Sequence, residues 1–326
     1  MTARSIAHYN LLDKIGEGGL GEVFRARDTR VGRTVALKLL PSDHTAVGCP
    51  DQLLADARAA AAISHPNVAT LFDVGHADGV CYLAYEFVAG SPLRALMTGL
   101  PMNPRHAIEL TIQVADALAD VEAAGIVHGD VRPETIAVTA KGAAKLLDCG
   151  MSRWTRGGRI RRAASSSPSA LPSEAAAVLP YLSPEQAVGP DWDARGDVFS
   201  LATILYEMLT GENPFTDPSP QEVIVNVTRV KPAPVSSMAP ELPPDLDRAL
   251  AKGLAKNVDQ RYESAALLAA ALRAALPRLA EDTPESKRVG YMLPIDDRAD
   301  RVPMGVWVTV GLGLAVLLSL VYWALR

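Results

Sequence analysis

Short apolar runs broken by turn residues fill the first ninety positions: YNLLDKIGEGG, GEVFRARD, RTVALKLL and GVCYLAYEFV. Their alternation and bounding glycines predict strands. One Ala-rich stretch, DQLLADARAAAAI, interrupts the series and predicts a helix ending before His65-Pro66, since the residue ahead of a proline is pushed out of the helical region. From Arg105 the period changes. HAIELTIQVADALADVEAAG, DVFSLATILYEMLTG and SAALLAAALRAAL place apolar residues at helical spacing. The pattern therefore predicts an α+β chain with a small sheet-rich lobe, then a larger helical one, and no internal repeat.

Two later segments break both patterns. Residues 304–325 (MGVWVTVGLGLAVLLSLVYWAL) contain no charged side chain. As a helix they span about 33 Å at 1.5 Å per residue, enough to cross a hydrocarbon core. Trp307, Tyr322 and Trp323 lie near the ends, where interfacial aromatics are favoured. This predicts a single transmembrane helix in contact with lipid, with residues 278–303, rich in proline and charge, as a juxtamembrane linker. Lys287, Arg288, Arg298 and Arg301 precede the span and only Arg326 follows it. The bias of cations places the preceding chain in the cytoplasm at the inner membrane, with no sensor domain beyond the bilayer. The N-terminus lacks the apolar core of a signal peptide. The stretch 153–173, basic and then serine-rich, reads as a flexible loop.

Composition narrows the classes. The chain of 326 residues is 48% hydrophobic and 21% charged with a formal net charge of −5, which suits a globular protein and gives no support to a nucleic-acid partner. Cys49, Cys81 and Cys149 are widely spaced without a C-x-x-C motif. Neither a disulfide framework nor a zinc site is expected, and a reducing compartment fits.

The chemistry-bearing residues begin at Gly16, Gly18 and Gly21, spaced G-x-G-x-x-G. Dinucleotide folds share that spacing, but there a helix opens at the last glycine. Here Glu22 to Ala26 alternate as a strand, so two strands joined by a glycine turn fit better, and such a turn lets backbone N–H groups approach phosphate oxygens. Lys38 stands alone in the apolar run VALKLL and needs an anionic partner if buried; the plainer reading is an edge lysine whose head reaches solvent.

Taken in order, GEGGLGEV, VALK, SHPNV, YEFVAG, HGDVRPET, LLDCG, YLSPEQ, DVFSLATILYEMLTG and KNVDQRY resemble the bacterial Hanks-type serine/threonine protein kinases over residues 9–277. The resemblance implies a bilobal fold, with the N-lobe at 9–89, the C-lobe at 90–277, and ATP and Mg²⁺ as cofactors. It implies that Gly16, Gly18, Gly21 and Val23 cover the nucleotide and that Lys38 binds its phosphates, steadied by Asp56. Asp130 becomes the base for the substrate hydroxyl, Arg132 the cation beside it, and Asp148 and Thr135 the Mg²⁺ ligands. His128, Asp197 and the pair Glu185–Arg261 become scaffold.

Departures from the family are specific. Asp56 replaces a glutamate and is one methylene shorter, Thr135 replaces an asparagine, and Arg132 replaces a lysine. Gly129 stands where an arginine would receive a phosphorylated loop, Cys149 where a phenylalanine would fill a spine, and Ala177-Val178 where a Gly-Thr would reach the base. The sequence thus supports a membrane-anchored kinase of a protein substrate it does not name, with a nucleotide-binding pseudokinase scaffold as the alternative. A partner kinase or a second copy is the protein partner it allows.

Overall fold

In the computed structural model, residues 5–18, 20–40, 49–155, 160, 177–189 and 192–279 are described. Six strands form an antiparallel sheet: β1 (Ser5–Ile6), β2 (Tyr9–Gly18), β3 (Gly21–Asp28), β4 (Thr34–Leu39), β5 (Leu71–Ala77) and β6 (Val80–Glu86), ordered β1-β2-β3-β4-β6-β5. The β5–β6 turn is Asp78-Gly79, both at positive φ, which is the turn chemistry a two-residue hairpin demands. Helix α1 (Asp51–Ala61) turns Leu53, Ala57 and Ala60 inward, at the spacing of one helical face. They join Leu71, Leu83, Tyr85 and Met151 in one core, while Tyr9, Ala26, Val35 and Leu37 build a second.

The helical lobe grows around α5 (Arg195–Thr210), which is buried over almost its whole length. A helix apolar all round belongs at the centre of its lobe. It stops at Gly211, whose φ of 81° is the left-handed cap that glycine supplies cheaply. Helix α3 (Pro104–Ala123), capped by the Asn103 side chain, packs on α5 and on α8 (Ala265–Ala275). Four further helices of the lobe lie among the described residues: α2 (Leu93–Leu96), α4 (Pro184–Val188), α6 (Pro220–Arg229) and α7 (Pro244–Gly253). A small sheet of β7 (Gly90–Pro92), β8 (Ile136–Thr139) and β9 (Ala144–Leu146) lies between the lobes' main elements in the chain and carries the loops that matter below.

One expectation is corrected. Cys49 and Cys81 form a disulfide, their Cα atoms 5.5 Å apart, joining the residue just ahead of α1 to β6. The two are 32 residues apart in sequence, so local spacing gave no sign of the pair. Closing a loop of that length removes about 3–4 kcal/mol of denatured-state entropy in the chain-entropy account. Among the described residues no helix is long and apolar enough to cross a membrane. The predicted span 304–325, nearly all of the linker 278–303 and most of the loop 153–173 lie outside the described residues.

Candidate functional site

A cleft of about 800 Å³ has Gly16, Val23, Lys38, Arg132, Thr135 and Asp148 on its wall. Apolar side chains from both lobes, among them Ile15, Ala36, Val88, Ala137 and Leu147, line it as well. That lining suits a flat aromatic group with a charged tail. The tail's end is set by the β2–β3 hairpin, where Gly18 pairs with Gly21. Gly21 sits at φ 123°, a conformation closed to residues with a Cβ.

Lys38 is buried in β4, opposite Val23 of β3 and Leu83 of β6. Its ammonium needs an anion, and the anion it has is Asp148, through a direct ion pair. The sequence expectation was a pair with Asp56. Instead Asp56 accepts one bond from Gln52 at 2.7 Å and one from the indole N–H of Trp154 at 2.9 Å. Both carboxylate oxygens are engaged, so the short acid of α1 is held by the segment after Asp148 rather than by the lysine. Asp148 itself has φ 61°, left-handed for a non-glycine residue, a backbone strain of about 1–3 kcal/mol.

The loop 128–135 is fixed from beneath. Asp197 of α5 accepts the backbone N–H of His128 at 2.9 Å and of Gly129 at 2.8 Å. The His128 ring is fully buried, bridging the Leu147 carbonyl and the Asp130 amide, which fits a packing role. The single hydroxyl proton of Thr135 is shared between the carbonyls of Asp130 and Arg132, each 2.9 Å from Oγ1, and the oxygen accepts the Arg132 amide. Its hydroxyl thus closes the loop, leaving little of it for a metal. The expected Thr135 ligand role is therefore the weakest of the set.

Asp130 is 5% exposed. Its Oδ1 takes Arg132 Nε at 3.1 Å, while Oδ2 is buried with no hydrogen-bond partner among the described residues. An orphaned carboxylate oxygen is costly unless something is meant to meet it. Val178, which replaces the family's threonine, lines the neighbouring cleft and brings no hydroxyl. Arg132 also holds Glu134 at 3.0 Å; burial works against its charge, but Asp130 and Glu134 outweigh that and raise its pKa.

At Gly129 the backbone is left-handed, φ 70°, and a Cβ there would run into the Trp192 ring. The indole occupies the ground beside the position where the family carries an arginine. Glycine removes the strain that any side chain would meet here.

Two residues matter that sequence reasoning passed over. Tyr85 lines the cleft, with Lys38 5.1 Å from its ring and its hydroxyl buried and unpartnered among the described residues. Burial pushes the phenol's pKa up, with the nearby Asp148 and Cys149 adding to it. Tyr85 packs in the N-lobe core with Leu53, Leu83 and Met151, and the small thiol of Cys149 belongs to the C-lobe core. That thiol is itself pushed up by burial and then by Asp148, so it stays protonated. Arg94 of α2 is the second; it binds Glu134 at 3.2 Å, Glu207 at 2.9 Å and the Tyr181 hydroxyl.

For Mg²⁺ the donors are hard oxygens, the Asp148 carboxylate with Thr135 beside it on the cleft wall. Among the described residues no cluster of three or more His, Cys, Asp or Glu could hold a metal unaided.

Comparison with known proteins agrees with this geometry. The model of the protein kinase domain matches residues 9–271. Serine/threonine-protein kinase PknB of Mycobacterium leprae is 40% identical over 239 residues, covering 70% of this chain and 36% of its own. Serine/threonine-protein kinase pkn2 of Myxococcus xanthus is 35% identical over 238 residues, covering 72% of this chain and 28% of its own. The chain therefore spans about a third of the length of such relatives. The crystal structure of the Mycobacterium tuberculosis PknI kinase domain superposes with a TM-score of 0.64 at 23% identity, covering 84% of this chain and 99% of that one, a likeness of fold.

Proposed function

The chain belongs to the protein kinase domain family, and from that premise we propose that it transfers the γ-phosphate of ATP to a serine or threonine hydroxyl of a protein. The observation that carries this reading is Asp130 Oδ2, a buried carboxylate oxygen without a partner among the described residues, on a loop held from beneath by Asp197 and closed by Thr135. A substrate hydroxyl donating to that oxygen would supply the missing bond and hand over its proton as the phosphorus–oxygen bond forms. Arg132 sits on the other oxygen of the same carboxylate.

In this reading Lys38 exchanges part of its hold on Asp148 for the phosphates, and the glycine turn covers them with backbone N–H groups. When bound, Mg²⁺ supplies charge neutralisation between the phosphates. Asp148, buried in the cleft wall, would be its principal ligand. We also propose that residues 304–325 anchor the chain in a membrane, on the strength of their uncharged run alone.

The test is transfer of labelled phosphate from ATP to a mixed protein substrate, with Asp130→Asn as control. Loss of the base should lower transfer by about 10²–10⁴-fold while ATP still raises the melting temperature with Mg²⁺. Binding without transfer in the native chain would instead leave the pseudokinase scaffold. Fractionation of the full chain against a variant lacking 304–326 tests the anchor; equal solubility of the two would end it.

A further inference from the structure

The Cys49–Cys81 disulfide reaches, through two packed elements, the residue assigned to the metal. Cys81 lies in β6, the strand whose Leu83 pairs with Lys38 of β4, and its carbonyl accepts the Leu40 amide at 2.9 Å. Cys49 directly precedes Pro50, the N-cap of α1. The bond therefore joins the start of α1 to the strand ladder that carries Lys38.

Helix α1 has little else to fix that start. Pro50 brings no side-chain hydrogen bond to its first turn. The buried face is one leucine and two alanines, Leu53, Ala57 and Ala60, and a helix of 11 residues is marginal without outside support. Against that same face lies the segment after Asp148. Met151 shares one core with Leu53, Ala57 and Ala60, and a Cβ at Gly150 would stand 3.4 Å from the Ala60 methyl. Asp148 itself is left-handed at φ 61°, a conformation that persists only where its surroundings over-determine it. Support thus runs from the disulfide to α1, and from α1 to the strained backbone of Asp148.

The pair is also built to open. Cys81 is fully buried, whereas Cys49 is partly exposed, so an outside thiolate meets the Cys49 sulfur first. Attack there forms a mixed disulfide and releases Cys81, which takes a proton and stays in the apolar core as a small hydrophobic side chain. The second thiol of a dithiol then closes on its own mixed disulfide, releasing Cys49 as a thiol and leaving the dithiol oxidised. Two electrons pass from the dithiol to the cysteine pair. The freed Cys49 thiol has an acceptor waiting, since its sulfur lies 3.3 Å from the Gly75 carbonyl oxygen. Resting on the kinase reading above, we propose that Cys49–Cys81 is a thiol–disulfide switch on phosphoryl transfer: closed, it holds α1 and Asp148 in the working arrangement, and opened by a dithiol it loosens both.

The experiment uses the full chain equilibrated in oxidised or reduced dithiothreitol. The state of the pair is read by mass after free thiols are blocked. Two readouts follow: phosphate transfer from ATP to a mixed protein substrate, and hydrogen exchange of the α1 amides. Reduction should lower transfer about tenfold, the scale expected when a strained backbone is free to relax, and should speed exchange across α1. Cys49→Ser and Cys81→Ala should each transfer at the reduced rate in both buffers; the first, at a partly exposed site, carries the test if the second does not fold. The remaining cysteine, Cys149, is buried in the C-lobe core, and a redox response that survives in Cys49→Ser would assign the effect there. That result overturns the proposal and leaves the kinase reading intact. So does a pair that fails to close or to open, a rate equal or higher after reduction, or α1 exchange that does not change. Absence of transfer in both states overturns the two together.

Discussion

The two walls of the cleft are built on different terms. On the C-lobe side the catalytic loop is held from beneath: Asp197 takes two amides, Thr135 closes the turn, and the His128 ring bonds the Leu147 carbonyl. Asp130 Oδ2 is the buried side-chain atom of this loop left without a partner among the described residues. On the N-lobe side the right residues are present but engaged elsewhere. Lys38 holds Asp148, and Asp56 holds Trp154 and Gln52. The substitutions at Gly129 and Thr135 that look damaging in the motif are absorbed locally by their surroundings. What decides activity on this account is the choice of partner on the N-lobe side, which residue identity alone does not express.

The largest effect should come from breaking the C-lobe scaffold. Arg261 is buried and grips Glu185 with two bonds of 2.6 Å. Burial alone would raise the Glu185 carboxyl, but the Arg261 bonds and charge outweigh it and hold the pKa below its ordinary value. A depressed folded pKa contributes stability that is fully present above the unfolded value, about 4.3, and is lost as pH falls through the folded one. Glu185→Gln should therefore cost about 3–5 kcal/mol at pH 7 in urea unfolding, for leaving Arg261 unpaired. The gap should begin to narrow below the unfolded pKa and close as pH falls through the folded one. A gap equally wide at pH 3 would mean the charge pair is not what holds this wall.

A smaller effect probes the fit around the catalytic loop. Gly129→Ala should destabilise by about 1–3 kcal/mol, from left-handed backbone and from collision with the Trp192 ring. Adding Trp192→Ala should relieve the collision and leave the backbone part, a coupling that a double-mutant cycle reads directly. A neutral Gly129→Ala would show this wall to be more pliant than its bonds suggest.

The smallest change addresses the N-lobe side. Trp154→Phe keeps an aromatic ring and removes the N–H that holds Asp56. Freed, Asp56 can turn to Lys38, and transfer should rise about tenfold, the scale of one hydrogen bond to a charged group. Thermal stability should move little. A fall in transfer would mean that the Trp154 bond belongs to the working form.

Much of this was legible in the sequence because it rests on local pattern. The strands from Tyr9 to Leu39 and helices α3, α5 and α8 follow from period and turn residues, and the motif order led to Lys38, Asp130 and Asp148. Strand β5 was passed over although Asp78-Gly79 signalled its hairpin. Helices α6 and α7 were missed because each buries a narrow stripe, Val223 and Val227 in the first and Leu246, Ala249 and Leu250 in the second. The cysteine pair, Trp154 on Asp56 and the carboxylates around Arg94 are contacts across 32 to 113 residues. No window along the chain contains both partners, so only the fold could show them.

The Cys49–Cys81 bond has a mechanical consequence. It clamps the chain just ahead of α1 to the floor of the sheet, so the helix is tethered at its leading end and can act as a lever with a fulcrum there. Asp56 lies about 10 Å along that lever at 1.5 Å per residue, counted from Cys49. A swing of about 10° would carry its carboxylate by about 2 Å, more than the reach lost with one methylene. The covalent clamp thus turns the shortfall of an aspartate into a matter of angle, and the angle is set midway along the helix, where the indole of Trp154 holds Asp56.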